Sequence, residues 1–578
     1  MNRFSFAIIL LAVCITAVGA RSSETLRDFD LQGYIDGAIK AGKKEVTVPA
    51  GCYRVTPAQG CHLRFTNLAD VTIIANGVEM VCTQTMPAML FKNCRNVRLK
   101  GLTVDYDPLP FTEGRIDAMA PDKSWLEFKI IDGYPENQLA ERIEIFDPAT
   151  RELRRETAGW SREIQSLGNH RYRAAKPKGY RYAEDWDTEQ VGDILVTRNC
   201  YPNGAGGHAV TSIDCTRLTL EDVTLYGASS FGFLEAGCDG STYLRCKIER
   251  RSPESDPVKR GFPRMRSLNA DAFHSVNASK GPAIIGCSAG YQGDDCVNIH
   301  GQYDLITSSS SNQLRMVVLG KLMINPGDPL EFLPFNGRRP RDATVKAIKP
   351  DGPMTDAERV FIRKLHLRPE ARDELINGKG KFYKVTLDRA VTLPMGSAVC
   401  SGARVGNGFL VKDCNFGHNR SRGILIKASN GRVTGNTIAH GWMAAVLVSP
   451  EYWWLEASSS QNVVVRDNKI IGCRRTGIEI VAPGGDDKPL PSGAHRDISV
   501  IGNTFTDSAW PNIRVTSTDH LIVRNNRLTP NDPTNFVPPI ARPESWNGAV
   551  PSPIVVELCN HAEVQAFKQS PASTSETN

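Results

Sequence analysis

The C-terminal half of the chain repeats itself, and that repeat limits the possible folds more than any other feature. FLVKDCNFGHNRSRGILIKAS, RVTGNTIAHGWMAAVLVS, VVVRDNKIIGCRRTGIEIV and ISVIGNTFTDSAWPNIRVT, followed by LIVRNNRL, share one grammar. Each has alternating β-branched residues, a Cys or Asn at a turn, a further apolar pair, and a second short strand opening with Gly, Ala or Asn. From Cys414 to Asn436 is 22 residues and from Asn503 to Asn526 is 23. The intervening steps, to Asn468 and then to Asn503, are 32 and 35, and they carry the loops PEYWWLEASSS and PGGDDKPLPSGAH. Short strands recurring about every twenty residues, with insertions at one phase only, mark a solenoid. Strand length and turn residues make this an all-β chain, a parallel β-helix.

The same grammar appears earlier, in VRLKGLTVDY (97–106), LTLEDVTLYG (218–227) and TYLRCKIE (242–249). Ahead of it, Leu31, Tyr34, Ile35, Ala38 and Ile39 fall on one helical face, with Asp30 able to cap the start and Gly42 the end. An amphipathic helix here would cover the open end of the solenoid and protect its edge. Two stretches, 107–197 and 303–399, lack the grammar and resemble each other. GRIDAM (114–119) matches ATVKAI (343–348), and VGDILVTR (191–198) matches PGDPLEFL (326–333). Both are expected to be small β-barrel-like insertions. The organisation that follows is a leader over 1–20, a cap and first coils over 21–106, and the first insertion over 107–197. Coils over 198–302, the second insertion over 303–399 and coils over 400–564 come next, and a polar, disordered tail covers 565–578.

The leader is an export signal. Arg3 precedes an apolar run from Phe4 to Val18, and Ala17-Val18-Gly19-Ala20 offers small residues for cleavage. Lipidation at Cys14 is the less favoured alternative, because Val13 is bulky for the position before a modified cysteine. No later run approaches the ~20 apolar residues of a membrane span, so the expectation is a secreted chain, periplasmic or at a cell surface. The formal net charge of +6 becomes +5 without Arg3. Spread over such a chain, that is too dilute for a nucleic-acid surface. Of the 15 cysteines, many sit in one local context (KNC, IDC, LRC, IGC, KDC), as small residues stacked in a core would. None has zinc-site spacing, and neither a metal nor another cofactor is expected.

The candidate chemistry lies in YQGDDCVNIHG (291–301), where Asp294 and Asp295 are adjacent, and in LNADAFHS upstream, with Asp271. Asp271 and Asp294 are 23 residues apart, one period of the repeat. One period is one coil, and neighbouring strands lie about 4.8 Å apart, so three carboxylates should converge on one face. Mutual repulsion keeps a proton on such a group near neutrality. A protonated acid beside an ionised base is the equipment of glycoside hydrolysis. A calcium site or a solvated turn is the plainer alternative. Around the trio, Asn269, His274 and His300 are candidates for substrate contact. So are Arg422, some five coil phases on, and Trp453-Trp454 in the long loop, where an aromatic pair could face a sugar ring.

NADAFHS, then GPAIIGC, QGDDCVNIHG and HNRSRGILI, together resemble the bacterial exo-α-1,3-galactosidases that remove terminal galactose from blood-group-B-type glycans. The resemblance runs over about residues 25–560 and is most specific at 269–301 and 417–426. More distantly, Asn269-Ala270-Asp271, Asp294-Asp295 and Ile426-Lys427 are similar to polygalacturonase elements. The nearer resemblance implies a right-handed β-helix with β-barrel insertions. It further implies metal-independent hydrolysis with inversion, Asp294 as general acid, and Asp271 and Asp295 activating water. Carboxylate spacing read from sequence leaves retention and inversion both open. Three rivals remain: a polygalacturonase-like hydrolase, a calcium-dependent polysaccharide lyase, and a non-enzymatic glycan-binding solenoid.

Overall fold

The computed structural model describes residues 25–140, 143–155, 163–175, 189–198, 207–258, 262–529 and 552–569. The expected leader, Cys14 and the tail beyond 569 lie outside these. Parallel strands stack into a β-helix with three faces. One face is a single column of short rungs, running from Leu63–Thr66 and Met89–Lys92 through Phe273–Val276 and Val297–Gln302 to Ile513–Thr516 and Ile554–Glu557. The other two faces belong to a 23-stranded sheet whose long members, such as Arg95–Tyr106, bend round the corner between them.

Why these residues stack is visible at the repeat position identified from sequence. Asn436 donates Nδ2 to Asn468 Oδ1 (2.9 Å), Asn468 to Asn503 (2.9 Å), and Asn503 to Asn526 (3.0 Å). Each Oδ1 also accepts the backbone N–H of the preceding rung, starting at Cys414. Buried amides survive only when paired, and each here is paired by its own copy one coil on. Inside the turns, a continuous apolar core runs from Leu31 to Val523. Among the described residues, 13 cysteines are free thiols and 12 of them are buried. Cys94 accepts no disulfide partner but donates its backbone N–H to Cys215 Sγ at 3.4 Å.

The capping helix is Leu31–Lys40, with Asp30 accepting from the N–H of Gly33 and Leu31 and Ile35 buried on the core. At the other end, Lys568–Gln569 pairs with Arg527–Leu528. The β-helix therefore extends into the segment expected to be a disordered tail. Phe567 supplies the reason, packing edge-on to Phe505 with ring centroids 5.4 Å apart.

The insertions leave the helix where the grammar breaks. The first contributes a seven-stranded antiparallel sheet between Thr112 and Thr197; the second closes six antiparallel strands into a barrel between Asp304 and Ser401 and carries two helices, Asp356–Ile362 and Pro369–Ile376. Their sequence likeness is a structural one. In each, a Gly-Asp turn feeds a strand pairing antiparallel with the GRIDAM or ATVKAI strand. Asp193 accepts from the N–H of Gln190 at 3.0 Å as Asp328 does from Asn325 at 2.9 Å. Gly192 and Gly327 each donate to the opposite strand at 2.8 Å.

Candidate active site

Three successive rungs of the single-column face build the site. Phe273 pairs with Val297, a step of 24 residues, so Asp271 is in register with Asp295 and not, as the 23-residue spacing suggested, with Asp294. Val297 pairs with Ile424, which brings Arg422 onto the very next rung after Asp295. Sequence counting set Arg422 five phases away because the second insertion departs and returns within that one coil. Asp271, Asp294 and Asp295 each offer an oxygen within 4.8 Å of the others. Asp271 and Asp295 are buried, whereas Asp294 keeps 26% of its side chain open. The backbone at Gly293 allows this crowding, since a Cβ there would meet the Asn269 carbonyl at 2.6 Å.

Such a trio cannot ionise fully in a low-dielectric recess. Burial pushes Asp295 up to about 8, with Arg422 opposing and Asp271 and Asp294 adding to the rise. Burial likewise raises Asp271, opposed by its hydrogen bond to His274 and reinforced by Asp294. Both shifts favour the protonated form, so Asp271 and Asp295 resist full ionisation beside Asp294.

A hydrogen-bond chain continues from Asp271. Its Oδ2 lies 2.7 Å from His274 Nδ1, His274 Nε2 lies 3.0 Å from His300 Nε2, and His300 Nδ1 lies 2.7 Å from the Gly301 carbonyl. A carbonyl only accepts, so His300 Nδ1 donates, His300 Nε2 accepts, and His274 Nε2–H donates to it. Burial pushes His300 down to about 3, consistent with this neutral form. The Asp271 bond raises His274 even though burial opposes it. Phe231 stacks on His274 at 4.3 Å and His208 on Phe231 at 4.9 Å, which fixes the imidazole plane.

Cations frame the carboxylates. Arg420 donates Nη2 to Asp294 Oδ2 at 2.7 Å and Nε to the Gly293 carbonyl at 2.6 Å, and its Nε sits 3.7 Å from Glu144 of the first insertion. Arg422 holds Asp295 with its backbone N–H (2.8 Å) and with Nη2 (3.1 Å), and reaches Glu451 at 3.3 Å. Lys427, fully buried, bonds Glu456 at 2.8 Å, Glu451 at 3.0 Å and Asn298 Oδ1 at 3.1 Å. The carboxylate trio has the donor geometry of a divalent-cation site as well, but two guanidinium groups already lie against it.

The remaining sequence candidates have structural partners. Asn269 is buried and donates to the Pro110 carbonyl at 2.7 Å, bracing the first insertion's entry. Trp453 packs on His366, with ring centroids 4.5 Å apart, and Trp454 lies under Arg368, both on the second insertion. The same loop sends Glu451 and Glu456 to the site instead. Sequence reasoning missed these two, Arg420, Asn298 and Phe231. Arg420 carried a signal, two residues before Arg422 in NRSRG on a strand approach where alternate residues share a face. The glutamates carried none, because their loop belongs to no repeat phase.

A family model described as a right handed beta helix region matches residues 394–485. The α-1,3-galactosidase B of Bacteroides thetaiotaomicron is 24% identical over 492 residues, covering 79% of this chain and 73% of that protein. The α-1,3-galactosidase B of Akkermansia muciniphila is 22% identical over 562 residues, covering 87% of this chain but 64% of that longer protein. A family 28 exopolygalacturonase of Yersinia enterocolitica superposes over 94% of this chain and 76% of its own at 10% identity, with a TM-score of 0.43, too loose to carry weight. The chain is a glycoside hydrolase of the right-handed parallel β-helix class, homologous over most of its length to bacterial α-1,3-galactosidases.

Proposed function

We propose that this is an exported exo-acting enzyme that removes terminal α-1,3-linked galactose from glycans by inverting, metal-independent acid–base hydrolysis. The observation that carries the reading is the convergence of Asp271, Asp294 and Asp295 from adjacent rungs, with oxygens within 4.8 Å of one another. The names of the relatives supply the linkage and the sugar.

In this reading Asp294, the carboxyl with an open face, protonates the departing glycosidic oxygen as the bond from the anomeric carbon breaks. Asp295 and Asp271 take a proton from the water that attacks the same carbon from the opposite side. Arg420 stabilises the Asp294 carboxylate once its proton has gone. The carboxylates that take the proton each offer an oxygen within 4.8 Å of one on Asp294, and the proton returns to Asp294 by exchange through solvent. His274 and His300 orient Asp271, and Arg422 orients Asp295. Inversion rests on the resemblance, since the closest oxygen separations fall near the ~5–5.5 Å usual for retaining enzymes.

A calcium-dependent lyase would use the same three carboxylates as ligands. Against it stand Arg420 and Arg422, whose charges repel a divalent ion at that point. The test is hydrolysis of a terminal α-1,3-galactoside by wild type and by Asp294→Asn. A loss of about 10²-fold or more in kcat, with no change in melting temperature, supports the assignment, and full activity in the variant rejects it.

A further inference from the structure

Glu451 and Glu456 have no part in the acid–base step, yet both are built into the site. We infer that they make it selective for uncharged sugars, by neutralising the cations that would otherwise accept a uronic acid. The inference rests on the proposed glycosidase reading and names what that site refuses.

Lys427 is fully buried between the two glutamates. Its ammonium donates to Glu456 at 2.8 Å and to Asn298 Oδ1 at 3.1 Å, and forms an ion pair with Glu451 at 3.0 Å. Burial opposes its charge, yet the two glutamates raise it above its ordinary value. A buried, unpaired lysine would favour a carboxylate ligand; the charge of this one is already balanced by two carboxylates. Arg422 is likewise divided between Asp295 and Glu451, and Arg420 between Asp294 and Glu144. Glu451 and Glu456 add two negative charges to the trio's three, against three fixed cations. One proton on the trio still leaves no net positive charge. An incoming uronate therefore meets cations already neutralised by carboxylates and a net negative surround, whereas an uncharged hydroxymethyl group meets no such repulsion.

The loop that brings the glutamates is rigidly placed. Glu456 and Ala457 pair antiparallel with Gln302 and Gly301, the end of the rung that carries His300. Tyr452 donates to the Gly396 carbonyl at 2.6 Å, and the Trp453 carbonyl accepts from the Arg368 N–H at 3.0 Å. The second insertion thus anchors the neutralising loop, and the tryptophan pair is its fastening.

The test compares kcat/KM for galactose-α-1,3-galactose with that for the same disaccharide carrying a terminal galacturonate. The expected wild-type ratio is at least 100-fold in favour of the neutral sugar, and it should fall at high salt as screening weakens the repulsion. Glu456→Gln should narrow the ratio at least tenfold, through a gain on the uronide, and Glu451→Gln serves as a second variant should the first not fold. Wild-type rates within threefold of each other would overturn the inference, as would a folded variant that keeps the wild-type ratio. If the neutral disaccharide is not cleaved, the galactosidase reading fails instead. Selectivity is then read from other neutral glycosides the enzyme does cleave, each paired with its uronide, under the same two criteria.

Discussion

Replacing Arg422 by methionine removes the one opposing charge that keeps the Asp295 carboxyl from rising further. The guanidinium lies 3.1 Å from Asp295 Oδ2, while the backbone N–H bond to Oδ1 stays in the variant. A charge pair at ~4 Å in an effective dielectric of ~20 is worth about 4 kcal/mol, or about three pK units. Water entering the vacated volume screens part of this, leaving a rise of roughly one to two units. Activity requires the trio to hold its proton, so the alkaline limb of the kcat/KM profile reports deprotonation of the unit. That limb should move to higher pH in Arg422→Met than in the wild type, because Arg422 opposes the rise of the carboxyl cluster. At neutral pH kcat/KM should drop about 10²-fold as Asp295 loses its orienting partner. Breaking a buried pair costs about 3–5 kcal/mol, but Lys427 still holds Glu451 at 3.0 Å, so circular dichroism and melting should find a folded variant. The measurement is a pH–rate profile from pH 4 to 10 on both proteins. A limb that stays put, or moves to lower pH in a folded variant, would refute a proton held by the trio.

Other outcomes follow from the same contacts. Asn468→Ala removes the acceptor of the Asn436 backbone N–H and of one Asn436 Nδ2 bond, and deletes bonds to Asn503 and the Val433 carbonyl. With buried unmade bonds at about 1–3 kcal/mol each, it should lower the melting temperature by several degrees, whereas Asn462→Gly, on the exposed turn ladder at a left-handed backbone position that glycine tolerates, should shift it by less than about one degree. Burial pushes Asp304 up to about 8, opposed by its bond from Gln302. The folded state then binds more protons than the unfolded one between about pH 4 and 8, and this carboxyl's contribution to stability declines as pH rises through that window. Asp304→Asn should flatten the decline in urea titrations at pH 5 and pH 8, and an unchanged slope would count against the burial argument.

How far the sequence could be read depended on whether a feature obeys the repeat. The Cys414–Asn436–Asn468–Asn503–Asn526 column was legible as spacing and is a hydrogen-bonded ladder in three dimensions. The capping helix showed itself as a helical stripe, and the kinship of the insertions as the shared Gly-Asp turn. The carboxylate trio was legible as well, but its register was off by one residue: the local step is 24, and turn lengths vary from coil to coil. Arg422 looked remote because linear distance cannot tell an insertion from added coils. Nothing local could place Glu451 and Glu456, since their position is set by pairing with Gly301 and Gln302 and by the second insertion's grip on the loop. The Asp271–His274–His300 hydrogen-bond chain needed two histidines on adjacent rungs to face each other, which register alone decides.

The central claim is an acid–base trio that works without metal and inverts the anomeric centre. Proton NMR of the mature enzyme acting on a terminal α-1,3-galactoside in excess EDTA tests it most directly. The account predicts that β-galactose appears first, at a rate indifferent to EDTA and lost in Asp294→Asn. Initial release of α-galactose would contradict inversion, in keeping with the short carboxylate separations, and activity abolished by EDTA would hand the trio to a cation.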